Sequence, residues 1–178
     1  MTVAAVSDAG PLIHLAGVGS LELIDAFDRL YVPEAVYAEL DRGGLPEGLT
    51  DRAFELVEAP RDGPESDGLD PGEQAALAVA SDRGAVLLTD DLAAREAASE
   101  RDIDVHGSLG VIAFGYSRGL VDRDEAAVLM RALQRETSLF VTDAVVEHST
   151  IPHGNRPNGP GGPSREDAQA SHSSGLVS

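Results

Sequence analysis

The chain has 178 residues, 42% of them apolar and 4% aromatic, with 31 acids against 13 basic residues and a formal net charge of −18. That length suffices for one domain of about 150 residues, which buries roughly 70% of its unfolded surface. The apolar content excludes a disordered chain, and no apolar run approaches the roughly 20 residues that span a bilayer. The absence of cysteine removes disulfides, thiolate metal sites and cysteine nucleophiles together.

In chain order, residues 3–6 form a short continuous apolar run, the pattern of a strand buried on both faces. A helix is predicted over 11–16, starting at Pro11, and another over 21–27. A strand over 30–32 leads into a helix over 33–41, and a further strand is predicted over 54–58. The helix over 71–83 precedes a second buried run at 85–88. A helix over 91–101, a strand over 103–106 and helices over 109–118 and 124–134 complete the pattern. Such alternation predicts βαβ crossovers and an α/β fold, a three-layer α/β/α sandwich with a central, mostly parallel sheet. This domain is expected to occupy residues 1–150. Residues 151–178 are rich in Gly, Pro and Ser without apolar periodicity, and a disordered tail is expected there.

Four acidic positions, one of them a pair, stand where surface charges have no reason to be. Asp8 follows the first buried run, and the pair Asp90 and Asp91 follows the second. In open parallel sheets ligands gather beyond the carboxyl ends of strands, so these acids would emerge at one sheet edge. Asp8 and one of the pair also suit helix N-capping, and Arg95 stands four residues past Asp91, the spacing of a helical ion pair. At 100° per residue Glu39 falls on the apolar half of its helix, where a carboxylate needs a partner or a raised pKa. Glu73 follows Asp70-Pro71-Gly72 as the third residue of a capping box, yet shares a face with Ala76, Leu77 and Ala80.

Each acid alone has an ordinary explanation, but four at one edge are hard to reconcile with chance. Two carboxylates about 4 Å apart repel by roughly 4 kcal/mol at an effective dielectric of 20. A hard divalent cation such as Mg²⁺ or Mn²⁺ offsets that repulsion and serves phosphate chemistry. Histidine is a poor alternative ligand, because His14, His106, His148, His153 and His172 form no i, i+4 pair.

The stretches Val6-Ser7-Asp8-Ala9-Gly10-Pro11-Leu12-Ile13-His14-Leu15-Ala16 and Val32-Pro33-Glu34-Ala35-Val36-Tyr37-Ala38-Glu39-Leu40 resemble the opening of the PIN-domain nuclease family. Asp70-Pro71-Gly72-Glu73-Gln74-Ala75-Ala76 resembles that family's central acidic helix start. Leu88-Thr89-Asp90-Asp91-Leu92-Ala93-Ala94-Arg95 is similar to its late strand-end motif, in the two-Asp form of a toxin-like, VapC-related branch. Gly107-Ser108-Leu109-Gly110-Val111 resembles that branch's next helix start.

The resemblance implies a PIN-like sandwich with an acidic pocket for one or two Mg²⁺ or Mn²⁺ ions, hydrolysing RNA phosphodiester bonds. It implies Asp8, Glu39, Glu73 and Asp91 as metal-binding and catalytic acids, with Asp90 an additional ligand or a group behind the ligands. Ser7 and Thr89 would orient waters or carboxylates, and Arg95 would hold Asp90 or Asp91 or contact a phosphate. Members of the branch often act as toxins silenced by a small antitoxin and commonly form homodimers. The alternative is a catalytically silent module of the same fold that binds RNA or protein.

Two features qualify this picture. There is no Lys, and all 13 basic residues are Arg; this argues against receiver domains and haloacid-type phosphatases, which use a Lys against the phosphoryl group. It also leaves no basic groove of the kind that usually grips RNA. The acid-rich, Lys-free composition resembles that of proteins from salt-loving archaea, whose cytoplasmic salt screens charge to about 3 Å at 1 M. With no basic flank and cleavage pattern at its N-terminus, the chain is expected to be cytoplasmic and not membrane-bound.

Overall fold

Side chains on the central strands alternate between two separate cores. Ala5, Leu30, Val32 and Leu88 face one, and Val6, Tyr31, Val57 and Leu87 face the other. This period of two, carried by strands apolar on both sides, is what a parallel sheet covered on both faces requires. The computed structural model describes residues 2–136; the expected tail at 151–178 lies outside the described residues.

Five strands, β1 (Ala4–Ser7), β2 (Arg29–Pro33), β3 (Glu55–Val57), β4 (Val86–Leu88) and β5 (Val105–His106), form one sheet in the order β3-β2-β1-β4-β5. Every pairing is parallel, with Val6 opposite Tyr31 on one side and Leu87 on the other. Helices α1 (Ala9–Gly17), α2 (Glu34–Gly43), α5 (Ser108–Ser117) and α6 (Arg123–Glu136) supply the first core, with Leu12, Leu40, Ile112 and Met130 among its buried members. Helices α3 (Pro71–Arg83) and α4 (Leu92–Ser99) supply the second through Ala76, Leu77, Val79, Ala80, Ala97 and Ala98. The result is the three-layer α/β/α sandwich read from the sequence. Among the described residues no helix is long and apolar enough to cross a membrane.

Two expectations need correction. Helix α1 begins at Ala9, two residues before Pro11; the first turn has no intrahelical partners for its N–H groups, so the missing N–H of Pro11 costs nothing there. The segment expected as a helix over 21–27 is a 3-10 helix, Leu21–Ala26. Its buried residues Leu21 and Ile24, and Leu23 and Ala26, are each three apart, the spacing that a three-residue turn brings to one face.

The order of the strands fixes where a site can form. From β1 the chain moves outward through β2 to β3, then α3 carries it back across to β4 on the opposite side of β1. The switch point therefore lies between the carboxyl ends of β1 and β4, where Asp8 and Thr89–Asp91 follow the strands.

Candidate functional site

Asp8 is the N-cap of α1, and its backbone N–H continues the sheet ladder to Leu88 O at 2.9 Å. Its Oδ1 accepts from the Ala9 N–H at 2.8 Å, and its Oδ2 accepts from the Thr89 hydroxyl at 3.0 Å. Only 6% of Asp8 is exposed. Burial pushes its carboxyl up to about 7; the Ala9 and Thr89 hydrogen bonds pull it down, and the charges of Glu73 and Asp70 push it up again. A carboxylate with that pKa has unmet demand for positive charge.

Asp91 is the N-cap of α4. Its Oδ1 accepts from the Ala94 N–H at 2.8 Å, and its own N–H donates to the Thr89 hydroxyl oxygen at 3.2 Å. At the start of α3 a complete capping box fixes two more acids: Asp70 Oδ1 accepts from the Glu73 N–H at 2.7 Å, and Glu73 Oε2 accepts from the Asp70 N–H at 2.9 Å. Glu73 is raised above the usual carboxylate range by burial, which the hydrogen bond from Asp70 opposes and the charges of Asp70, Asp91 and Glu39 reinforce. Glu39 reaches across from α2, its Oε2 lying 2.8 Å from the point a Cβ on Gly72 would occupy. The fold thus draws Asp8, Glu39, Glu73 and Asp91 toward one edge of the sheet and adds Asp70.

Asp90 is hydrogen-bonded through both of its carboxylate oxygens. Its Oδ1 accepts from the Ser108 N–H at 2.7 Å, while Oδ2 accepts from the Ser108 hydroxyl at 2.5 Å and meets His14 Nδ1 at 2.7 Å. Burial works to raise its pKa, but the bonds from His14 and Ser108 outweigh it and hold the carboxyl below its ordinary value. Asp90 thereby ties the end of β4 to α1 and to the N-terminus of α5. Ser7 is fully buried and donates to the Asp8 carbonyl at 2.8 Å, so its hydroxyl shapes the turn. Arg95 is exposed, with Nη1 lying 2.6 Å from the point a Cβ on Gly107 would occupy. Among the described residues it forms no ion pair, with Asp91 or any other acid.

The donor set suits a hard divalent cation, being all carboxylate oxygen and holding a buried acid whose ionised form is short of positive charge. Hydrogen-bonded carboxylate oxygens keep further lone pairs for a metal. As they stand, however, no three of the described acids or histidines are close enough together to hold one ion.

Four participants escaped the sequence reading of the site. Asp70 was read only as a cap, though it belongs to the same motif as Glu73. Gly72 carried no signal beyond its place in that motif. His14 and Ser108 meet Asp90 over separations of 76 and 18 residues, and no local pattern announces such a contact.

A family model described as a PIN domain matches residues 4–151. No curated protein matches the chain. Among solved structures, a PilT N-terminus domain protein from the hyperthermophilic archaeon Sulfolobus solfataricus P2 superposes with a TM-score of 0.54 at 15% identity, covering 64% of this chain and 93% of that one. At that identity the likeness speaks for the fold alone.

Proposed function

Since the chain belongs to the PIN-domain family, a family of nuclease type, we propose that it is a divalent-metal-dependent endoribonuclease acting through Asp8, Glu39, Glu73 and Asp91. One observation carries this reading. These acids, with Asp70, gather at the β1–β4 switch point, and none of them forms an ion pair among the described residues. Acids clustered without cations store repulsion that a fold does not keep unless something offsets it.

Mg²⁺ or Mn²⁺ bound there would lower the pKa of water and offset charge building on the attacked phosphate. The chain's own residues orient the donors. Ala9 and Thr89 hold Asp8 in one rotamer, Ala94 holds Asp91, and the capping box holds Glu73. The exposed guanidinium of Arg95, paired with no acid among the described residues, could contact a substrate phosphate. The likeness to the toxin-like branch extends the proposal to an RNA-cleaving toxin in the cytoplasm, with a small antitoxin and a second copy of the chain as partners.

A second reading, a silent RNA- or protein-binding module, is favoured by the acids' failure to converge on one point. Cleavage of RNA in Mn²⁺ and concentrated KCl separates the two. The wild-type chain is expected to cut, and Asp8→Asn and Asp91→Asn to lose on the order of 100-fold or more. RNA binding without cleavage by the wild type would establish the second reading, and undiminished cleavage by Asp8→Asn would remove the proposed site.

A further inference from the structure

Gly72 occupies the second position of α3 and is buried there, yet its backbone does not require glycine. It is absent from the residues with positive φ, and glycine is a poorer helix former than alanine. A Cβ at this position would lie 3.5 Å from Val36 Cγ2 and 3.4 Å from Asp70 Oδ1, both tolerable. It would lie 2.8 Å from Glu39 Oε2, which is not. The atom in the way is the far end of a flexible side chain, so α3 would accept the methyl group and the Glu39 carboxylate would yield.

We propose that Gly72 is a positioning residue, whose missing side chain leaves the seat in which the Glu39 carboxylate rests against the start of α3. Val36, one turn earlier on α2, forms the floor of the same seat. Asp8, Asp91 and Glu73 are each fixed by a hydrogen bond from a backbone N–H, whereas Glu39 is fixed by shape. A small local loss in helix propensity is thereby exchanged for the placement of one acid beside Glu73. The role presupposes the metal-dependent reading of these acids.

The test is a double-mutant cycle on the full chain, read by Mn²⁺ calorimetry and by the thermal unfolding midpoint without metal. Gly72→Ala is expected to keep or raise the midpoint while weakening Mn²⁺ binding about tenfold, the lower end for residues that orient ligands. In a Glu39→Ala background the same substitution is expected to change Mn²⁺ affinity by less than about twofold. An equal loss in both backgrounds would overturn the proposal, because Gly72 would then act through something other than Glu39. A wild-type chain that binds no Mn²⁺ would overturn the metal-dependent function instead. In that case the ¹³C resonance of the Glu39 carboxyl decides the contact alone: a shift on Gly72→Ala upholds the seat, and an unmoved resonance removes it.

Discussion

The hydroxyl of Thr89 donates to Asp8 Oδ2 at 3.0 Å and accepts from the Asp91 N–H at 3.2 Å. One fully buried oxygen therefore joins the ends of β1 and β4 and sets the two strand-end acids relative to each other. The same bond holds the pKa of Asp8 lower than burial alone would.

Replacing Thr89 with Val keeps the shape and removes both bonds. Stability is expected to fall by about 1–2 kcal/mol, the usual cost of a lost buried hydrogen bond. The pKa of Asp8 is expected to rise further, which NMR titration of its carboxyl would register. Thr89→Ser, which restores the hydroxyl, should return that pKa toward about 7; a pKa unmoved in Thr89→Val would show that the bond does not govern Asp8.

Asp8 itself gives stability a definite pH dependence. Its folded pKa, about 7, lies above the ordinary 3.8, so between those values the folded chain holds a proton that the unfolded chain has released. Stability should therefore decline as pH rises through this window and level off above about 7. Asp8→Asn is expected to shrink the decline, leaving the part that the raised pKa of Glu73 contributes, and to make the metal-free protein more stable at pH 8, by up to a few kcal/mol, while removing activity. Urea unfolding from pH 4 to 8 without divalent ions measures this directly. A decline of equal size in both proteins would place its source elsewhere.

The sequence and the structure agree where the information is local. Helix α3 was read with its observed bounds because Asp70, Pro71 and Glu73 signal its start, and Gly84, at φ 60°, ends it. The edge strands β3 and β5 came out shorter than expected, since each pairs on one side only and has less to hold its ends. At the site, the helix-cap explanations for Asp8, Glu73 and Asp91 hold together with their gathering at one edge. A cap fixes a carboxylate's rotamer and leaves lone pairs free, so the two roles do not compete. The contacts of Asp90 with His14 and Ser108, and of Glu39 with Gly72, were not legible. They depend on how α1 meets α5 and how α2 meets α3, and no repeat or spacing in the sequence encodes those approaches.

The role of Asp90 is testable by separating stability from metal affinity. Asp90→Ala strands the Ser108 N–H and hydroxyl and frees His14, and is expected to cost about 2–3 kcal/mol. Because the folded pKa of Asp90 is lowered, its contribution is present above its unfolded value near 3.8 and is lost as pH falls through the folded one. Mn²⁺ affinity, measured well below the unfolding temperature, should stay within a few-fold of wild type, whereas Asp91→Ala should lose far more. Comparable losses in both variants would make Asp90 a ligand after all.

Salt bears on the net charge of −18 and on the expected lack of a basic groove together. At 0.1 M salt charges interact over about 10 Å, and at 1 M over about 3 Å. Mutual repulsion among the acids should then weaken, and the unfolding midpoint is expected to rise as KCl increases from 0.1 to 1 M. An ordinary nuclease that grips phosphates with many cations loses affinity steeply over the same range, because bound counterions are released on association. Here the opposite slope is expected, with KM for RNA falling as salt screens the acidic surface from the polyanion. A KM that climbs steeply with KCl would reveal a cationic RNA-binding surface on this chain or on a partner, and RNA binding would then have to be assigned to that surface.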